Sequence, residues 1–199
     1  NLTYSALTKN RELAVITTDP AQVEHASRIF ETDWQGKDGP IPGPLILSPD
    51  TSRETMIGLV ESAQESLDIY AEVITDEGFM TAVKAAIDRG VKVRIVMTQA
   101  YGEDLLTEPV GELARYGAEL HTLASPYIHA KLLLVDGSSA FIGSQNYTST
   151  SMDQNREVGI VIHGASNIER IQRVFDKDFS MAIPLGLGSA ATPSPLVAA

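Results

Sequence analysis

Asn1 to Trp34 aligns without a gap on Asn146 to Phe179, at a constant offset. Identities fall at chemically costly positions: Asn1 with Asn146, Thr3 with Thr148, Asn10-Arg11-Glu12 with Asn155-Arg156-Glu157, Arg28 with Arg173, Phe30 with Phe175 and Asp33 with Asp178. Convergent strand and helix patterning would match the apolar positions, but it gives no reason for an Asn-Arg-Glu triplet in register. Duplication accounts for both. On this reading residues 1–36 are the end of a first copy, the Gly and Pro-rich residues 37–44 are a linker, residues 45–182 are a complete second copy, and residues 183–199 are a flexible tail.

Within the second copy, strand and helix patterns alternate, which is the signature of an α/β domain with helices covering a central sheet. Leu45 to Leu47 is a short apolar run. Thr51 to Glu54 resembles a capping box, with Ile57, Val60 and Gln64 to Leu67 continuing a helix. Leu67 to Val73 reads as a buried strand. A helix through Phe79 and Ile87 stops at Gly90, before the β-branched run Val91 to Met97. A helix over Val110 to Tyr116 leads to a strand over Ala118 to Leu123. Asp136-Gly137 separates two apolar runs as a hairpin turn does. A strand from Glu157 to Ile162 and an amphipathic helix from Asn167 to Phe179 close the pattern. The stretch Tyr101 to Pro109 reads as a polar connection.

The residues that carry chemistry cluster late in the chain. His129-Ala-Lys131 precedes Asp136, then come Gly143-Ser144-Gln145-Asn146 and, further on, Glu157. His129 and Lys131 stand two apart, so a strand presents both on one face. Lys supplies a compact positive charge for phosphate oxygens, while Asn146 and Ser144 add neutral donors. Imidazole can attack phosphorus or protonate a leaving alkoxide near neutral pH. The combination His-x-Lys-x4-Asp followed by Gly-Ser-x-Asn resembles the signature of the phospholipase D superfamily, over essentially all of residues 1–180.

That resemblance implies a phospholipase D-like sandwich with a central mixed β-sheet flanked by helices. It implies a phosphodiester hydrolase or transphosphatidylase working through a phosphohistidine shared between two half-sites, the reaction class of phospholipase D and of cardiolipin or phosphatidylserine synthases. His129, Lys131 and Glu157 would be catalytic. Lys131, Ser144, Asn146 and Asn1 would bind phosphate, with Asp136 and Glu12 supporting. Glu157 would orient a histidine, and Glu12 would serve the other half; Asp136, at the predicted turn, should be structural. No cofactor and no metal is expected. The first copy's own His-x-Lys does not occur between Asn1 and Trp34, so the missing N-terminal half or a second chain should complete the site, and the chain alone should be nearly inactive.

Composition narrows the partners. The 43% hydrophobic content allows a sizeable core, and the absence of cysteine removes thiolate chemistry. No apolar run reaches the roughly eighteen residues of a membrane span. A net charge of -11 works against sequence-independent nucleic-acid binding, so a phospholipid at a membrane surface is the expected substrate. The alternatives are a nuclease using the same half-sites and a catalytically silent pairing module. Compartment is left open.

Overall fold

The computed structural model describes residues 3–98, 105 and 108–185. The first-copy segment gives α1 (Tyr4–Thr8), β1 (Asn10–Arg11) and α2 (Pro20–Trp34). After the linker come β2 (Ile46–Ser48), α3 (Ser52–Ser62), β3 (Ser66–Tyr70), α4 (Glu77–Asp88), β4 (Lys92–Met97), α5 (Val110–Tyr116) and β5 (Glu119–Thr122). Next are β6 (Tyr127–Ile128), β7 (Lys131–Val135), β8 (Ser139–Gly143), α6 (Ser149–Asp153), β9 (Glu157–His163), α7 (Ala165–Met181) and β10 (Ile183–Pro184). Asn1, most of Tyr101 to Pro109 and residues 186–199 lie outside the described residues.

Among the described residues, one mixed sheet has the strand order β10-β5-β4-β3-β7-β8-β9-β2. Strand β3 is parallel to β4 and antiparallel to β7, so the βαβ part meets the hairpin part at the middle of the sheet. Alternation along each strand sorts side chains to two cores. Leu67, Ile69, Ile95, Leu133 and Phe141 face α3, α4 and α5, where Met56, Val60, Phe79, Val83 and Leu113 bury their apolar side chains. Tyr70, Val96, Leu132, Leu134 and Ile142 face α7 and meet Ile168, Ile171 and Phe175. Burying each large apolar side chain contributes roughly 1.5–3 kcal/mol.

The sheet face under α7 also carries charge. Arg94 forks onto Asp68 at 2.7 and 2.6 Å and reaches Asp176 at 2.8 Å. Its guanidinium lies over the rings of Phe175 and Phe179.

Several elements end where the sequence pattern did not place them. Helix α3 stops at Ser62 rather than continuing through Gln64 to Leu67, because the Asp136 carboxylate accepts the backbone N–H groups of Gln64, Glu65 and Ser66 at 3.0, 2.8 and 2.8 Å. These donors are thereby held outside the helix and at the start of β3. Burial pushes the Asp136 carboxyl up, but the three N–H donors outweigh it and hold the group below its ordinary value. Asp136 itself has φ 50° and Gly137 φ 56°, and the Ser138 N–H closes the turn on the Val135 carbonyl at 2.9 Å. Left-handed backbone at both central positions is what a tight hairpin needs.

The capping box at Thr51 does not form. Its hydroxyl accepts the Leu47 N–H at 3.0 Å instead of a helix N–H, because β2 runs directly into α3. The chain also stays ordered beyond residue 182: Ile183 and Pro184 pair with Thr122 and His121, and the Leu185 N–H reaches Leu120 at 2.8 Å.

The first-copy segment is fastened to the second copy. Strand β1 pairs in parallel with β6, Asn10 opposite Tyr127 and Arg11 opposite Ile128. Arg11 then forks onto Asp178 of α7 at 2.6 and 2.9 Å. On α2, Ile29 packs with Ile41, Leu45, Leu47 and Ile160. His25 is fully buried, where its Nε2 donates to the Ile41 carbonyl at 2.7 Å and its Nδ1 accepts the Leu45 N–H at 3.0 Å. The linker is therefore strapped across α2.

Candidate active site

His129 does not lie on one continuous strand with Lys131. It occupies the break between β6 and β7, where the Arg11 carbonyl accepts N–H groups from both His129 (3.2 Å) and Ala130 (2.8 Å). A single acceptor shared by consecutive N–H groups turns the chain there. The first-copy strand β1 thus sets the backbone that carries the histidine, and the next first-copy residue reaches its ring: the two Glu12 oxygens lie 2.9 and 3.1 Å from His129 Nδ1. With the Nδ1 proton donated to Glu12, Nε2 is the nitrogen left for chemistry.

Lys131 opens β7, with its side chain almost fully buried. Its ammonium donates to the His129 carbonyl at 2.7 Å and to Glu72 Oε2 at 2.8 Å. Glu72, just beyond β3, also lies 3.5 Å from His129 Nε2 and accepts the Tyr127 hydroxyl at 3.1 Å. Burial pushes the Glu72 carboxyl up, but the hydrogen bond and charge of Lys131, together with His129, bring it below the usual value, so it stays ionised. The sequence reading missed Glu72. The available signal was an acid breaking the apolar run at the end of a parallel strand, the end at which α/β sheets place their sites.

A cleft of about 350 Å³ brings together Glu12, Leu13, His129, Lys131, Gly143 and Ser144. Asn146 is not among its lining residues. Its backbone N–H donates to Ser151 at 3.0 Å, and its side-chain Oδ1 is buried with no partner. The next residue fixes the turn, since the Tyr147 hydroxyl donates to the Leu132 carbonyl at 2.7 Å and the Tyr147 carbonyl accepts the N–H groups of Thr75 and Asp76. Gly143 is dictated by space: a Cβ there would lie 2.2 Å from Gln145 Oε1 and 2.7 Å from the Phe141 ring.

Of the two glutamates expected to orient a histidine, Glu12 is the one at His129. Glu12 holds the His129 ring, whereas Glu157 accepts hydrogen bonds from Ser144, Ser151 (2.9 Å) and Asn155 (3.3 Å). The reason is the cross-packing of the copies. Arg11 pairs with Asp178 of the second copy, while Arg156 pairs with Asp33 of the first at 3.1 Å. Asp136 lies at the opposite end of β7 from the histidine and touches no residue of the cleft.

A mixed sheet with a His, Lys and Ser cleft at the edge of its central hairpin defines a phospholipase D-like domain. A family profile described as "Cardiolipin synthase, PLD-like domain" matches residues 56–179. The chain belongs to that family, within the phospholipase D superfamily. A probable cardiolipin synthase of Bacillus subtilis is 29% identical over 126 residues, covering 60% of this chain and 25% of the relative. A cardiolipin synthase of Listeria monocytogenes is 26% identical over 166 residues, covering 79% and 34%. The chain therefore spans about a quarter to a third of the length of these relatives.

Two solved structures share the fold. The phospholipase D family member Nuc from Salmonella typhimurium has a TM-score of 0.62 at 23% identity, covering 70% of this chain and 95% of that one. NucT from Helicobacter pylori has a TM-score of 0.64 at 21% identity, covering 70% and 96%. Among the described residues, no helix is long and apolar enough to cross a membrane.

Proposed function

We propose that this chain supplies one half-site of a phosphodiester transferase or hydrolase acting on phospholipids. The observation that carries the reading is the imidazole of His129 held at Nδ1 by Glu12, 2.9 Å away, with the Lys131 ammonium beside it in the same cleft. Glu12 fixes the ring and its tautomer, so Nε2 can take up phosphorus or exchange a proton with an alkoxide. Lys131, with the Ser144 hydroxyl lining the same cleft, offsets charge on the non-bridging oxygens. The cardiolipin synthase relatives support a phospholipid substrate class, and the net charge of -11 works against sequence-independent nucleic-acid binding.

In-line displacement puts the nucleophile and the leaving-group acid on opposite sides of phosphorus, so one histidine cannot serve as both. A second half-site, from additional polypeptide or another chain, would present its histidine to Glu157, as Glu12 is presented to His129. The test uses protein carrying both half-sites, with anionic phospholipid vesicles and single-stranded DNA as competing substrates. His129→Ala and Lys131→Met should each lower phospholipid turnover by about 10²-fold or more. The chain alone should be nearly inactive until the complementary half is added. Wild-type turnover in His129→Ala would refute the site, and preferential cleavage of DNA would replace the phospholipid reading with a nuclease.

A further inference from the structure

We propose that Glu72 is a positioning residue that keeps the Lys131 ammonium charged and aimed at the substrate phosphate. The proposal rests on the phosphodiester reading above, but the observations that carry it concern Lys131 itself.

A lysine whose side chain is only 4% exposed has lost most of its hydration, and an ammonium in that position is stable only with acceptors around it. Lys131 has two: the neutral carbonyl of His129 at 2.7 Å and the carboxylate of Glu72 at 2.8 Å. Only Glu72 brings charge. An ammonium has three donors, so this pair of acceptors leaves one N–H for a phosphate oxygen and fixes its direction.

Glu72 is in turn fixed. Its other oxygen accepts the Tyr127 hydroxyl at 3.1 Å, and its backbone follows directly from β3, the strand paired with β7. The carboxylate therefore stands on the neighbouring strand end and reaches across to the lysine. Its Oε2 also lies 3.5 Å from His129 Nε2, so one oxygen stands beside both the imidazole and the ammonium of the cleft. A carboxylate placed there solely for fold stability would have no need to touch the two groups that meet the phosphate.

The decisive variant is Glu72→Gln, which keeps the shape and an acceptor for Tyr127 but removes the charge. In protein carrying both half-sites, phospholipid turnover should fall by about 10- to 100-fold. The alkaline limb of the pH–rate profile should move to lower pH, because a buried ammonium without its carboxylate gives up its proton more readily. A residue acting only through stability would lower the thermal midpoint without moving that limb. If the Gln variant does not fold, Glu72→Asp, measured in the same way, should show a smaller loss and a smaller shift in the same direction.

A second readout needs no turnover. In the 199-residue chain labelled with ¹⁵N-lysine, the Lys131 Nζ resonance should change from ammonium to amine at lower pH in Glu72→Gln than in wild type. An unchanged rate, an unchanged alkaline limb or an unchanged Nζ titration in the folded variants would overturn the proposal. Persistence of activity in His129→Ala would instead refute the phosphodiester site, leaving the Nζ titration to decide the role of Glu72.

Discussion

The two aligned segments of the sequence each supply one Arg–Asp pair, and burial predicts very different energies for them. Asp178 is fully buried; it accepts both donors of the Arg11 fork at 2.6 and 2.9 Å, and the Tyr70 hydroxyl at 2.7 Å. Asp178→Ala leaves a guanidinium and a phenol without their acceptor, a loss of about 3–5 kcal/mol for a broken buried pair. At roughly 2–4 °C per kcal/mol for a chain of this size, the thermal midpoint should fall by about 6–20 °C. The equivalent pair, Arg156 with Asp33 at 3.1 Å, has side chains 33% and 37% exposed. Water already solvates both partners, so Asp33→Ala should cost about 1 kcal/mol or less. Thermal and urea unfolding of the two variants and the double variant would measure this directly. Equal losses, or a midpoint unchanged in Asp178→Ala, would refute the claim that burial separates the two pairs.

Asp136→Ala should destabilise the chain at neutral pH by about 1.5–3 kcal/mol, the range for hydrogen bonds to a charged acceptor. Because the folded carboxyl is held below its unfolded value of 3.8, that contribution is present above the unfolded value and lost as pH falls through the folded one. Acid unfolding monitored by circular dichroism should therefore show wild type and Asp136→Ala converging below about pH 4. Gly143→Ala should cost about 1–3 kcal/mol by overpacking against Gln145 and Phe141, and should also reduce turnover by moving Ser144; a wild-type urea midpoint would show that the strand yields without strain.

The alternation of periods in the sequence was enough to place the sheet and its covering helices, because strand and helix faces announce themselves over five or more residues. Short elements are different. Strand β1 and strand β6 are two residues each and have no period, so their pairing, and with it the backbone turn at His129, was not legible. The end of α3 was misplaced for a related reason: the competing acceptor, Asp136, lies 72 positions away from Gln64. For the site, His129, Lys131 and Ser144 were readable as a motif, since their spacing is local. Glu72 was not, because its partners come from another strand and only the sheet register brings them together.

The placement of Glu12 links folding to chemistry. Within each copy the Asn-Arg-Glu triplet makes the same local bond, Asn10 to Glu12 and Asn155 to Glu157, both 3.3 Å. The middle residue crosses to the other copy: Arg11 to Asp178, Arg156 to Asp33. The glutamate that follows is carried across with it, so the residue that orients His129 is set by the same strand that buries Asp178. Displacing β1 would therefore remove the ring's acceptor, the shared Arg11 carbonyl and a buried ion pair together. A carboxylate built into the histidine's own copy would not couple these events. In this chain the coupling is complete around His129. Around Glu157 the same triplet ends on the Ser144 and Ser151 hydroxyls and the Asn155 amide, so the carboxylate there is held by its neighbours and not by a ring.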